Sequence, residues 1–143
     1  MSGTNPTTAR DDVEQLVRDY YRVVSDLSSR DDDLRRLLAD DVTITEHPNA
    51  LVPRGAQRDL AQTLRGFQRG KALLREQTFT VHDVIVDGDR AAARVTWRGV
   101  VGASAGPFSA GQELTAHVAA ILTIRDGAIV AQETFDCYEP FAP

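Results

Sequence analysis

The sequence predicts an α+β domain in which about three N-terminal helices pack on a mainly antiparallel sheet. Three observations carry this reading. Val13, Leu16, Val17, Tyr20, Val24 and Leu27 recur at helical spacing near the start of the chain. The second half is a series of alternating, β-branched segments. Asp126-Gly127 separates two long apolar runs, which is the strongest short-range hairpin signal, because both central residues of a type I′ turn need positive φ. Helices segregated from antiparallel strands define the α+β class.

The elements follow in order. Residues 1–8 are polar and contain proline, and are expected to be a disordered tail. Residues 9–143 form one domain. Thr8 and Asp11 fit a weak capping box, and the first helix is expected over residues 9–28. The acids Asp31, Asp32 and Asp33 complement the dipole at the start of a short second helix that buries Leu34, Leu37 and Leu38. Residues 41–47 (DVTITEH) alternate as a strand, with Val42, Ile44 and Glu46 on one face. Pro48 ends it, and a loop follows. Residues 56–67 are expected to be a third helix burying Leu60, Leu64 and Phe67. Strands are then expected over 76–86 and 90–101, the second with Ala91, Ala93, Val95 and Trp97 on one face. Residues 102–111 (GASAGPFSAG) form a loop, with no G-x-G-x-x-G spacing for a dinucleotide. The count is three helices and five strands.

The final hairpin sets the most specific expectation. With Asp126-Gly127 as the whole loop, Arg125 faces Ala128, and counting back places His117 opposite Asp136. His117, Ala119 and Ile121 would then share a face with Val130, Gln132, Thr134, Asp136 and Tyr138. Leu114, Ala116, Val118, Ala120, Leu122 and Ile124 would lie on the other face. Both faces are largely apolar, whereas an antiparallel sheet normally wets one of them. Helices are expected on one side and a second subunit on the other.

Composition narrows the function classes. The chain has 143 residues, 42% hydrophobic and 26% charged, enough for one domain with a real core. A net charge of −5 argues against a nucleic-acid partner. The single cysteine, Cys137, cannot form an internal disulfide and reads as a small buried hydrophobe. No signal peptide and no run near the roughly 20 apolar residues of a membrane helix is visible. A cytoplasmic protein with no membrane contact is the expectation. His47, His82 and His117 lack metal-ligand spacing to the acids, and no cofactor or metal is expected.

The Tyr20-Tyr21 pair, the LLADDV of residues 37–42, the EHPN of residues 46–49 and the hairpin IRDGAIVAQETFDCYEP leading into Phe141 carry a resemblance that spans nearly the whole chain. The chain resembles the SnoaL-like group of the nuclear transport factor two superfamily, the ketosteroid isomerase-like fold. That resemblance implies a curved sheet wrapped round the first and third helices as a cone with a deep, mostly apolar pocket. It also implies that alternate residues of the last strand line the pocket, here Gln132, Thr134 and Asp136. The Leu114-to-Ile124 row would then be convex and would form a homodimer interface, since a monomer would expose it as a large apolar patch.

The candidate site residues follow. His117 and Asp136 read as a general acid–base dyad, or as a structural hydrogen bond at the open end of the cone. Glu46 reads as a buried carboxylate of raised pKa, or as a rim carboxylate holding an arginine such as Arg54. Tyr20, Trp97, Gln132 and Tyr138 are expected to bind substrate, the aromatics supplying area and the tyrosines a polar handle. The expected function is cofactor-independent proton transfer on a small hydrophobic oxygenated metabolite, polyketide- or terpenoid-like: isomerisation, cyclisation, dehydration or epoxide opening. The alternative is a binding or scaffold protein of the same fold.

Overall fold

The computed structural model describes residues 6–141. Three helices, α1 (Pro6–Ser25), α2 (Asp31–Arg35) and α3 (Leu60–Leu73), lie against one six-stranded sheet. The strands are β1 (Leu38–Glu46), β2 (Ala56–Arg58), β3 (Leu74–Asp87), β4 (Arg90–Val101), β5 (Glu113–Arg125) and β6 (Ala128–Tyr138), in spatial order β2-β1-β6-β5-β4-β3. The sheet is open and mixed: β1 runs parallel to β6, and every other pair is antiparallel.

Helix α1 opens at Pro6, where proline's missing N–H is no loss because first-turn donors are free anyway. It therefore starts before the expected boundary, and Thr8 lies inside it and not at a cap. Of the tail expected over residues 1–8, residues 6–8 belong to the helix, and residues 1–5 lie outside the described residues. Helix α3 starts later than expected. The Asp59 side chain accepts from the Gln62 N–H at 2.8 Å, and the Gln62 side chain accepts from the Asp59 N–H at 2.9 Å. This capping box fixes Leu60 as the first helical residue and frees residues 56–58 to pair with β1 as a sixth strand. No helix among the described residues is long and apolar enough to cross a membrane.

The hairpin turn is as expected. Asp126 and Gly127 have φ of 52° and 76°, and Arg125 pairs with Ala128. Three residues on, the register departs from the simple count. Ile124 pairs with Ile129, but Thr123 pairs with Ala131, so Val130 is an extra residue in β6. Such a bulge moves every later side chain of β6 to the opposite face. Asp136 faces Val118, Gln132 faces Leu122, and His117 faces Cys137.

The bulge corrects three expectations together. The row Leu114, Ala116, Val118, Ala120, Leu122 and Ile124 is the buried floor of the domain and not a convex interface. From Ala116 to Ile124 it packs with Val17, Tyr20 and Tyr21 of α1, Leu34 of α2 and Leu64 of α3. Cys137 is exposed on the outer face instead of buried. The pairing of His117 with Asp136 does not form.

Candidate active site

One end of the cone holds a pocket of about 190 Å³. Tyr20, Tyr21 and Val24 reach it from α1, Ile44 and Glu46 from β1, and Arg58 from β2. Phe79, Trp97, Ala116 and Val118 enter from β3, β4 and β5, and Gln132, Thr134, Asp136 and Tyr138 from β6. Residues 132, 134, 136 and 138 share a face because strand side chains alternate. The Val130 bulge turns that face inward, onto the same side as Ala116 and Val118.

The polar groups form two clusters. Deep in the pocket, the Tyr20 hydroxyl donates to Gln132 Oε1 at 3.1 Å, and Gln132 Nε2 donates to the Tyr21 hydroxyl at 3.4 Å. Gln132 is only 5% exposed, so its amide needs both partners. Burial pushes Tyr20 up to about 12, against the Gln132 hydrogen bond and helped by the negative charge of Asp136. Burial raises Tyr21 further. Both phenols are therefore neutral at physiological pH.

The second cluster is ionic. Arg58 Nη1 lies 2.8 Å from Glu46 Oε1, with side chains 27% and 14% exposed, so the pair is largely internal. Asn49 Nδ2 donates to the other oxygen, Oε2, at 2.8 Å. Register explains the meeting: Glu46 pairs with Ala56 and Ile44 with Arg58, while Glu46 also lies beside Thr134 of β6. Asp136, two residues along β6, accepts a hydrogen bond from the Thr134 hydroxyl. Burial raises the Asp136 pKa above the ordinary aspartate range. The Thr134 hydrogen bond opposes this, the Glu46 charge adds to it, and Arg58 opposes it. Tyr138 is also raised, by burial first and then by the charges of Asp136 and Glu46.

Trp97 closes one wall. Its indole N–H donates to Gln77 Oε1 at 2.8 Å, and Gln77 Nε2 donates to the Val24 carbonyl at 2.7 Å. That relay ties the wall to α1. A Cβ at residue 99 would lie 2.5 Å from Trp97 Cζ2, so only glycine lets the ring lie back along β4. Tyr138 meets the Trp97 ring edge to face at 6.0 Å and the Phe141 ring at 6.0 Å.

Of the expected site residues, Asp136, Glu46, Tyr20, Trp97, Gln132 and Tyr138 converge on this pocket, and His117 does not. His117 stands on the outer face, with Nε2 2.8 Å from Glu139 Oε2 and its side chain 61% exposed. The arginine on Glu46 is Arg58 and not Arg54. Arg58 went unrecognised because residues 56–58 read as helix. The signal that locates it is the Asp59-x-x-Gln62 capping box. Tyr21 and Phe79 also line the pocket, and apolar periodicity alone places them in a core. Among the described residues, no three His, Cys, Asp or Glu side chains converge as metal ligands.

Comparison with known proteins agrees with this architecture. Residues 17–132 match the model of the SnoaL-like domain. IdmH from Streptomyces antibioticus, a candidate polyketide cyclase, is 27% identical with a TM-score of 0.71, over 87% of this chain and 91% of that one. A candidate SnoaL-like polyketide cyclase from Jannaschia sp. CCS1 is 15% identical with a TM-score of 0.74, over 94% and 91%. An LEH-like epoxide hydrolase from M. tuberculosis is 15% identical with a TM-score of 0.66, over 91% and 84%. The last two show the fold alone. No curated protein sequence is significantly similar to this chain. The family match spans most of the chain, and the cone-shaped sheet and helix order agree with it: the chain belongs to the SnoaL-like domain family.

Proposed function

We propose that the pocket is the active site of a cofactor-independent enzyme that moves a proton on a small, apolar, oxygenated metabolite. The observation that carries this is the placing of Asp136. Its carboxyl is half-buried in the pocket, with Oδ1 held by Thr134 and the Tyr138 phenol lining the same space. A general base works best with a pKa near the operating pH, and burial moves a carboxylate in that direction.

Asp136 takes a proton from carbon next to a substrate carbonyl. Negative charge then develops on the carbonyl oxygen, and the Tyr138 O–H donates to it. A donor preset at the site of developing charge in a dry pocket is worth more than in water. Arg58, anchored by Glu46, keeps positive charge close to the reacting groups. Returning the proton at another carbon gives isomerisation, and attack of the enolate on a second carbonyl gives cyclisation. The 27% identity to IdmH supports a ring-forming reaction of the second kind. Neither Phe108 nor Leu73 lines the pocket, which weighs against a filled, scaffold-only cavity.

Volume bounds the substrate. An apolar cavity of about 150 Å³ takes benzene, so about 190 Å³ fits one ring with small substituents. The test is phenylacetone in D₂O, followed by proton NMR. The protein is expected to speed loss of the methylene signal beside the carbonyl at least about tenfold over buffer, the low end for a positioned base. No acceleration at millimolar ketone would contradict the proposal.

A homodimer through the outer sheet face remains part of the proposal, on a different patch from the one first expected. Phe135 is 43% exposed there and stacks on His47 at 4.3 Å, with Ile121, Ala119 and Cys137 on the same face. Sedimentation at micromolar concentration is expected to give twice the chain mass, and Phe135→Glu a monomer. A wild-type monomer would refute this interface.

A further inference from the structure

The pocket ends at Tyr21 and Phe79, whose rings meet at 5.6 Å with a 45° tilt. Both residues also line a second, outer groove of about 430 Å³ between α1 and β3, with Arg18, Ser25, Asp26 and Val81. Two cavities therefore share one thin wall. Tyr21 is 3% exposed and held by Gln132, so it belongs to the fixed core. Phe79 is half-buried at the edge of that core. Its backbone N–H donates to Ser25 Oγ at 2.9 Å, which pins β3 to the end of α1. The backbone of the wall and the Tyr21 side chain are thus tied down, and the Phe79 ring is the part of the wall that no hydrogen bond holds.

We propose that Phe79 is the residue that sets ligand length: its ring limits the pocket to a one-ring ligand, and a shorter side chain joins the pocket to the outer groove. The joined space would take a ligand of two or three linearly fused rings. Its polar end would stay at Asp136 and Tyr138, and its apolar end would pass over Val81. This rests on the proposed reading of the pocket as a ligand site.

The contrast to measure is between acetophenone and 2-acetylanthracene, which carry the same acetyl head on one ring and on three. Equilibrium dialysis gives both dissociation constants for the wild type, Phe79→Leu and Phe79→Ala. The wild type is expected to bind acetophenone at least about tenfold more tightly than the three-ring ketone. In the variants that ratio should fall at least about tenfold, mainly by tighter binding of 2-acetylanthracene. Phe79→Leu keeps most of the packing and carries the test if Phe79→Ala fails to fold. A wild type that binds acetophenone, with the same ratio in the variants, overturns the inference and leaves the pocket reading intact. A wild type that already binds both ketones equally also overturns the inference. A wild type that binds neither ketone contradicts the pocket reading, and the inference falls with it.

Discussion

Replacing Asp136 by Asn is expected to lower turnover by roughly 10²-fold or more, the usual scale for a positioned general base, while raising stability at neutral pH. The two effects have one cause. Burial raises the folded-state pKa of Asp136 above the ordinary 3.8. Between those values the native state binds more protons than the unfolded chain, so stability falls as pH rises through that window and stays lower above it. Asparagine carries no charge to desolvate and keeps the shape. The melting temperature of Asp136→Asn should exceed that of the wild type at pH 7, and the difference should vanish below the ordinary aspartate value. A variant that melts lower at pH 7 would mean that Asp136 is a structural carboxylate.

Inserting one alanine between Gln132 and Glu133 is expected to abolish the site and most of the stability. The extra residue turns residues 133–138 over. Thr134, Asp136 and Tyr138 would leave the pocket, and Glu133 would enter the core beside Ala120, in place of Thr134. Burying a carboxylate with no partner costs several kcal/mol, a large part of the roughly 5–15 kcal/mol that holds a domain together. Circular dichroism should show an unfolded or molten chain. Deleting Val130 instead removes the bulge residue alone, leaves Gln132 opposite Leu122 and Asp136 opposite Val118, and should keep the fold and pocket in place. A folded insertion variant that still binds ligand would mean that the register set by the Val130 bulge does not fix the inward face.

That bulge is also where sequence and structure part. Periodicity located every helix and all the long strands, since amphipathic patterns are repeated over many residues. The Asp126-Gly127 turn was legible because positive φ at two successive positions demands particular residues. The Val130 bulge has no such chemistry. Valine is half-buried there and suits either face, so counting from the turn runs straight past it. Gln132, Thr134 and Asp136 nevertheless point into the pocket, as the family resemblance implies, because the resemblance concerns the end of the strand and not its pairing. His117 had only the count to support it and lies outside. Glu46 was legible from its place beyond Val42 and Ile44. Its partner Arg58 was hidden because a three-residue edge strand carries too little pattern to compete with the helix after it.

The proposed reaction needs Asp136 to be a desolvated carboxyl poised for proton transfer. The most direct test is a ¹³C NMR titration of the Asp136 carboxyl in the wild type, with Thr134→Val beside it. The midpoint should lie above the ordinary aspartate value of 3.8, because burial outweighs the Thr134 hydrogen bond and the Arg58 charge. It should rise further in Thr134→Val, where the hydrogen bond that favours the anion is gone. A wild-type midpoint at or below 3.8 would contradict the account, since it would describe a solvated or salt-bridged aspartate with no enhanced basicity.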